Sequence, residues 1–394
     1  MKYEIIKQQH ISKSSFSTKC VIICACIILT VSLNLTFFFR RIRSDVVGIS
    51  EPLTKFAEAP PFNPVDRSSL SPHGRFVTLG SQDAWSNYVS VEFFHLFRTL
   101  RHAYGWGFVE GGSWKEVADS SFARFGHAPD ILLLVEHYSV ADWGPRDPRL
   151  QNTIIWGLSD DLHWHNPKQE QSKLAGLAAV DAIVACYAPL LDHFYPTLSD
   201  LAPRMHLPHA ASALFLLPLN SNPTPRVLIA GASSLPWYPH RAAALSRAAA
   251  GDRRFAALPH PGYEARAGHP SLGKAFADML RSHLAVLTDG SILNYTVGKV
   301  FEIPATGALL LVNAQLERFL LPLGFVAGMH YVSYTEISMD AVVDWVLRAS
   351  NREAVDRIRA QGQALVWARH TVNHRAASLD TAALSRWPTH NANK

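Results

Sequence analysis

A chain of 394 residues, 48% hydrophobic and 18% charged, is long enough for two or three domains and too apolar to be disordered throughout. Its formal net charge of +5 comes from singly scattered basic residues, and no zinc-finger, RNA-recognition or basic-zipper pattern is present, which argues against a nucleic-acid-binding class. Cys20, Cys24 and Cys26 cluster near the N-terminus and leave Cys186 as the one thiol of the soluble part, so a disulfide there and cysteine-based zinc sites are excluded.

Residues 1–19 form a polar tail. From Cys20 to Phe39 the chain is mostly apolar and uncharged, and at about 1.5 Å per residue such a helix spans a hydrocarbon core of about 30 Å. It reads as a transmembrane helix at 20–39. A cleaved signal peptide normally has a shorter apolar region ending in small residues, whereas this one ends in Phe37, Phe38 and Phe39 followed by Arg40 and Arg41. Lysines before the segment and arginines after it leave orientation barely decided by charge. Residues 40–74, with EAPPFNP, are a stem or linker.

Residues 75–216 alternate short apolar runs with helical stretches, as expected for a first Rossmann-like domain around a largely parallel sheet. Predicted strands are Phe76–Gly80, Asp130–Glu136, Thr153–Gly157, Ala182–Ala185 and Met205–Pro208; predicted helices include Val89–Tyr104 and Pro189–Leu198. Asp160, Asp161 and His163 follow TIIWG and fall at that strand's mouth, where a carboxylate or imidazole could take a hydroxyl proton or hold a substrate, or Asp161 could merely cap a turn. His209, just after the Met205–Pro208 strand, is a second candidate beside a satisfied structural histidine. Glu136 and His137 read as a solvated rim.

The stretch LPLNSNPTP, Leu217–Pro225, has the composition of a hinge, and residues 226–380 alternate again as a second Rossmann-like domain with a closing helix, before a tail at 381–394. Its predicted strands are Val227–Ala230, Phe255–Leu258, Leu284–Thr288, Ala308–Val312 and Tyr331–Ser333, with helices over His240–Ala250, Leu272–Ser282, Met339–Ala349 and Arg352–Val372. Gly231 ends a strand and opens a loop to Arg241, which is either an anion contact or a surface residue. His260 and Tyr263, in HPGY, follow another strand and either frame a ligand or belong to a Pro-Gly turn. In GKVFEIPATGALLLVN, Lys299 and Glu302 stand three apart on one helical face, so a cation and a carboxylate could meet one ligand, or form an exposed ion pair. Pro304 makes that helix short or bent.

From Val297 to about Leu379 the order KVFEIPATGALLLVN, Glu317 and Phe319, Tyr331 to Glu336, and RIRAQGQALVWARHTVNHR resembles the group 1 glycosyltransferases of the spore-protein CgeB-like branch. The likeness implies a GT-B fold of two facing Rossmann-like domains and a hexosyltransferase-like activity of class 2.4, moving a sugar from a nucleotide-diphosphate sugar to a glycan, lipid or protein hydroxyl. It further implies that Glu302 binds the donor ribose, with Thr306 and Gly307 the small residues behind it, and Lys299 the diphosphate. Gly231, Arg241, His260 and Tyr263 complete the expected donor site; Asp161, His163 and His209 are the expected catalytic residues. Retention of configuration is expected, without metal or cofactor, since adjacent aspartates do not supply a DxD spacing. Analogy with Golgi transferases of the same layout suggests a single-pass type II protein of the Golgi or endoplasmic reticulum. The chain departs from the wider group by carrying Asn294 or Tyr295 where an earlier glutamate would stand, which leaves a non-catalytic GT-B protein, glycan-binding or scaffolding, as the alternative. A nicotinamide dehydrogenase is disfavoured by the lack of a G-x-G-x-x-G turn after an early strand.

Overall fold

The computed structural model describes residues 73–388 apart from 87, 164–165, 199–201, 263–268 and 270. The expected membrane segment at 20–39 lies outside these residues, and no helix among those described is long and apolar enough to cross a membrane.

Six strands form the first sheet: β1 (Phe76–Leu79), β2 (Gly107–Val109), β3 (Ile131–Val135), β4 (Ile154–Ser159), β5 (Ala182–Ala185) and β6 (Arg204–His206). They pair in the order β2-β1-β3-β4-β5-β6, all parallel. β3 and β4 are buried along their whole length, which is why ILLLV and IIWGLS run without polar alternation: helices cover both faces. Those helices include α1 (Glu92–Tyr104), α2 (Trp114–Phe125) and α3 (Pro167–Ala178).

The second sheet comprises β7 (Thr224–Ile229), β8 (Phe255–Ala257), β9 (His283–Thr288), β10 (Leu309–Asn313) and β11 (Val332–Tyr334), in the parallel order β11-β10-β9-β7-β8. Val227 and Ile229 pack on one side of β7 and Leu228 and Ala230 on the other, giving each face its own core. Pro225 is accommodated inside β7 because the register with β9 shifts between Thr224 and Val227. The flanking helices are α4 (Pro239–Ala249), α5 (Gly273–Ser282), α6 (Lys299–Ala305), α7 (Met339–Leu347) and α8 (Arg352–Arg369), followed by α9 (Val372–Leu384).

Several expected elements differ. The helix expected over Pro189–Leu198 is a succession of short turns, because Pro189 and Pro196 interrupt it. The helix expected over Arg352–Val372 stops at Arg369, and Thr371 then starts α9 through a capping box with His374. That last helix does not stay with the second sheet. Val372, Ala376, Leu379 and Ala383, three or four residues apart, enter the first domain's core, and Asp380 accepts the Trp106 indole N–H at 2.9 Å.

In open parallel sheets a crevice forms where successive strands leave in opposite directions. These points lie between β1 and β3 in one sheet and between β7 and β9 in the other.

Candidate active site

At the second sheet's switch point, Gly231 follows β7 with φ of 105°. A Cβ there would lie 2.4 Å from Arg241 Nη1 and 2.8 Å from Lys299 Cε, so both the backbone and the space require glycine. Arg241 is not a surface residue: it is 3% exposed, with Nε 2.9 Å from Asp289 Oδ1 and Nη1 and Nη2 donating at 2.8 Å to the carbonyls of Ala232 and Asp289. It ties the loop after β7 to the end of β9 and so shapes the crevice.

Lys299 opens α6, a helix shortened to seven residues with Pro304 near its end. Among the described residues neither Lys299 nor Glu302 makes a side-chain hydrogen bond or ion pair; the Lys299 ammonium lies 5.5 Å from the centre of the Phe276 ring. Burial lowers the Lys299 pKa against the pull of Glu302, and burial raises that of Glu302 against the pull of Lys299. Glu302 is buried and Lys299 half-buried, and a cation and an anion so placed without hydrogen-bonding partners are open to a ligand that supplies them. His260 faces the same cations: burial, then Lys299 and Arg241, lower its pKa to about 4. Tyr263 lies outside the described residues. Thr306 and Gly307 do not join this group. The Thr306 hydroxyl is buried and donates to the Ile303 carbonyl at 2.7 Å, and Gly307 packs against Leu219 and Gln363 behind the helix.

The facing wall belongs to the first domain. His209 is buried, its Nδ1 2.8 Å from Glu92 Oε2 and its Nε2 2.9 Å from the Tyr187 hydroxyl; Asp160 Oδ1 lies 3.0 Å from Nε2 at ion-pair distance. Glu92 Oε1 also accepts the Ala210 N–H at 2.7 Å. Burial alone would lower the His209 pKa, but Glu92 and Asp160 raise it well above its ordinary value. The two carboxylates thus favour the protonated imidazole at His209, the form that gives up a proton rather than taking one. The walls meet at Gly298, where an added Cβ would lie 3.7 Å from Glu92 Oε2 and 3.8 Å from Glu302 Oε1.

Asp161 and His163 sit beside this chain of charges rather than in it. The His163 ring contacts Trp237 of the second domain, with centroids 5.2 Å apart. Tyr295 lies flat on Tyr187, 3.8 Å between centroids and 8° between planes, and its hydroxyl accepts the N–H groups of Leu162 and His163 at 3.1 and 2.9 Å. Tyr295, one of the two residues that stand where a glutamate was expected, thus joins the two domains. Glu136 is no solvated rim residue: with Tyr138, Asp161, His163 and Lys173 it lines a cavity of 280 Å³.

Asp160, Cys186 and His209 bring three possible metal-ligand atoms within 4.8 Å of one another. The fit to a metal is poor. Both ring nitrogens of His209 already have partners, Glu92 Oε2 at 2.8 Å and the Tyr187 hydroxyl at 2.9 Å, and burial, then Asp160, push the Cys186 thiol well above its usual range.

Residues 212–381 match the glycosyl transferase-like family, Glyco_trans_1_2. No curated protein is significantly similar in sequence. Among solved structures, a sucrose-phosphate synthase from Thermosynechococcus elongatus is similar at a TM-score of 0.57 and 11% identity, covering 79% of this chain and 99% of that one. Anabaena HepE, solved in complex with UDP, gives 0.51 and 10%, covering 79% and 100%. An alpha-glucosyltransferase solved with UDP-glucose and DNA containing an abasic site gives 0.51 and 9%, covering 79% and 99%. The chain has the GT-B fold. Its two parallel sheets are the two halves of that fold, and the Gly231–Lys299–Glu302 wall lies within the family match.

Proposed function

We propose that this GT-B chain is a glycosyltransferase that moves a sugar from a nucleotide-diphosphate sugar to an acceptor hydroxyl. One observation carries the reading: the half-buried Lys299 and the buried Glu302 stand together at the second sheet's crevice, opposite His209 and Glu92, and neither head group has a hydrogen-bonding partner among the described residues. A nucleotide sugar would complete both, since its diphosphate needs a cation and its ribose hydroxyls need a carboxylate acceptor. The glycosyl transferase-like match over residues 212–381 supports the same reading.

The proposed reaction proceeds with retention and without a metal ion. Lys299 steadies the departing diphosphate, whose oxygen takes the acceptor proton, so no protein base or nucleophile is required. His209 stays protonated and holds Glu92 and Asp160 in place. We further propose that the apolar run at 20–39 anchors the enzyme as a single-pass type II protein of the Golgi or endoplasmic reticulum, and that the CgeB-like branch is its subgroup.

Thermal shift of the protein against a panel of nucleotide sugars should show selective stabilisation by one donor class. With that donor, Glu302→Ala should lose about 10- to 100-fold in kcat/KM, the worth of a charge-assisted hydrogen bond. A variant retaining full donor hydrolysis and transfer would sink the proposal. Glycan binding by calorimetry without nucleotide-sugar affinity would support the non-catalytic alternative.

A further inference from the structure

The first sheet has its own switch point, between β1 and β3, and Glu136 stands there at the end of β3 with φ of 51°. A non-glycine residue in the left-handed region persists only where its surroundings hold it, and such residues gather at functional sites. Here the Asp160 N–H and the Tyr138 hydroxyl both donate to Glu136 Oε1, while the Lys173 ammonium lies 3.9 Å from Oε2. Lys173 also donates to the Asp161 carbonyl at 2.7 Å, with its charge 4.9 Å from the centre of the Tyr138 ring. Together with Gln169 and Ser172 on α3, these groups line the open 280 Å³ cavity.

We propose that this cavity is the acceptor subsite and that the acceptor hydroxyl belongs to a carbohydrate. The inference rests on the transferase reading above. Position supports it, because Asp160 joins the two sites: its carboxylate pairs with His209 in the donor cleft and its N–H binds Glu136 in the cavity. Size supports it, since 280 Å³ lies at the lower edge of the about 300–1,000 Å³ usual for small-molecule sites and suits one ring.

Chemistry selects the class. Glu136 and Asp161 bring carboxylates to the lining, Lys173 and Gln169 bring nitrogen groups, and Tyr138 and His163 bring rings. A sugar, with hydroxyls around an apolar ring, matches all three. A lipid chain would leave the carboxylates dehydrated and unpaired, at a cost larger than its own burial returns. A phosphorylated or nucleic-acid acceptor meets two carboxylates against one ammonium. In the transfer, the sugar's oxygen bonds to the donor's anomeric carbon as the bond from that carbon to the diphosphate oxygen breaks. The hydroxyl proton departs with the nucleoside diphosphate.

The test uses the full chain in detergent with the donor found by thermal shift and three acceptor classes: methyl glycosides, serine- and threonine-containing peptides, and a long-chain alcohol. Transfer to a methyl glycoside is expected. Ser172→Trp, on the exposed face of α3 at the cavity, should raise the KM for that glycoside at least about tenfold, and Gln169→Ala should raise it as well. Transfer to peptide or alcohol alone overturns the proposal, as does an unchanged KM in both variants. Saturation-transfer NMR of the methyl glycosides judges the cavity without turnover. If no donor is hydrolysed or transferred, the transferase reading fails; a glycoside signal abolished by Ser172→Trp then still establishes a sugar site, and absence of any signal removes it.

Discussion

Glu92→Gln tests the charged wall most directly. The substitution keeps an oxygen to accept the Ala210 N–H but places an amide against His209 Nδ1, which now lies 2.8 Å from a carboxylate oxygen. Removing one member of a buried ion pair costs about 3–5 kcal/mol, because the partner charge stays buried. At about 2–4 °C per kcal/mol for a protein of this size, Tm should fall by about 10 °C. The pH dependence is equally specific. The folded His209 pKa is raised, so its pairing contributes fully below the unfolded value of about 6.5 and is lost as pH rises through the folded value. With only Asp160 left, the folded value drops back, and the variant lacks most of this contribution at every pH. Thermal melts of both proteins, near pH 6 and near pH 9, should therefore show the larger gap at the lower pH. A fall in Tm under about 2 °C, or a gap that widens with pH, refutes the imidazolium assignment.

Glu136 has its pKa raised to about 7, first by burial, so the native state loses stability as pH climbs from the ordinary glutamate value through about 7. Glu136→Gln keeps an acceptor for both donors and should be more stable than the parent near pH 8 by roughly 1–3 kcal/mol, with the advantage gone near pH 5; denaturant melts at the two pH values decide it. Tyr295→Phe leaves the Leu162 and His163 N–H groups without their acceptor and should cost about 1–3 kcal/mol, with faster amide exchange at both positions; unaltered exchange contradicts the domain-joining role. Gly231→Ala forces a side chain at φ of 105° into Arg241 and Lys299, and calorimetry should show donor-nucleotide affinity at least about tenfold weaker. Parental affinity would place the donor elsewhere.

The strand-helix alternation was legible because buried parallel strands such as ILLLV and the β9 run HLAVLT are continuous apolar blocks between turn residues. β2 was not, being three residues that begin with glycine and paired only through β1. Lys299 and Glu302 could be found from spacing, since three positions on one helical turn share a face. Glu92 could not. A glutamate in a helix's first turn reads as a partner of the helix dipole, and only a contact 117 residues away reveals its role. Tyr295 looked like a gap in a pattern; its bonds to Leu162 and His163 come from the other domain. The break before Thr371 carries neither proline nor glycine; the Thr371 cap and the tertiary pairing with Ala211 set it.

That pairing explains what the HTVNHR segment does. Ala211 N–H donates to the His370 carbonyl at 2.9 Å and Val372 N–H to the Ala211 carbonyl at 3.0 Å, so the chain is gripped as it crosses back to the first domain. Arg375 then donates to the carbonyls of Pro208, at 2.6 Å, and His209, at 3.0 Å. The backbone at His209 is thereby fixed by a helix that belongs in sequence to the second domain and in packing to the first. At the opposite end of the contact, Tyr295, four residues before Lys299, bonds to the loop that follows Asp161. Two crossings thus bracket the distance between His209 and Glu302. Their spacing follows from chain connections on both sides of the cleft, so a change at Arg375 or Tyr295 should move the two walls together rather than loosen one of them.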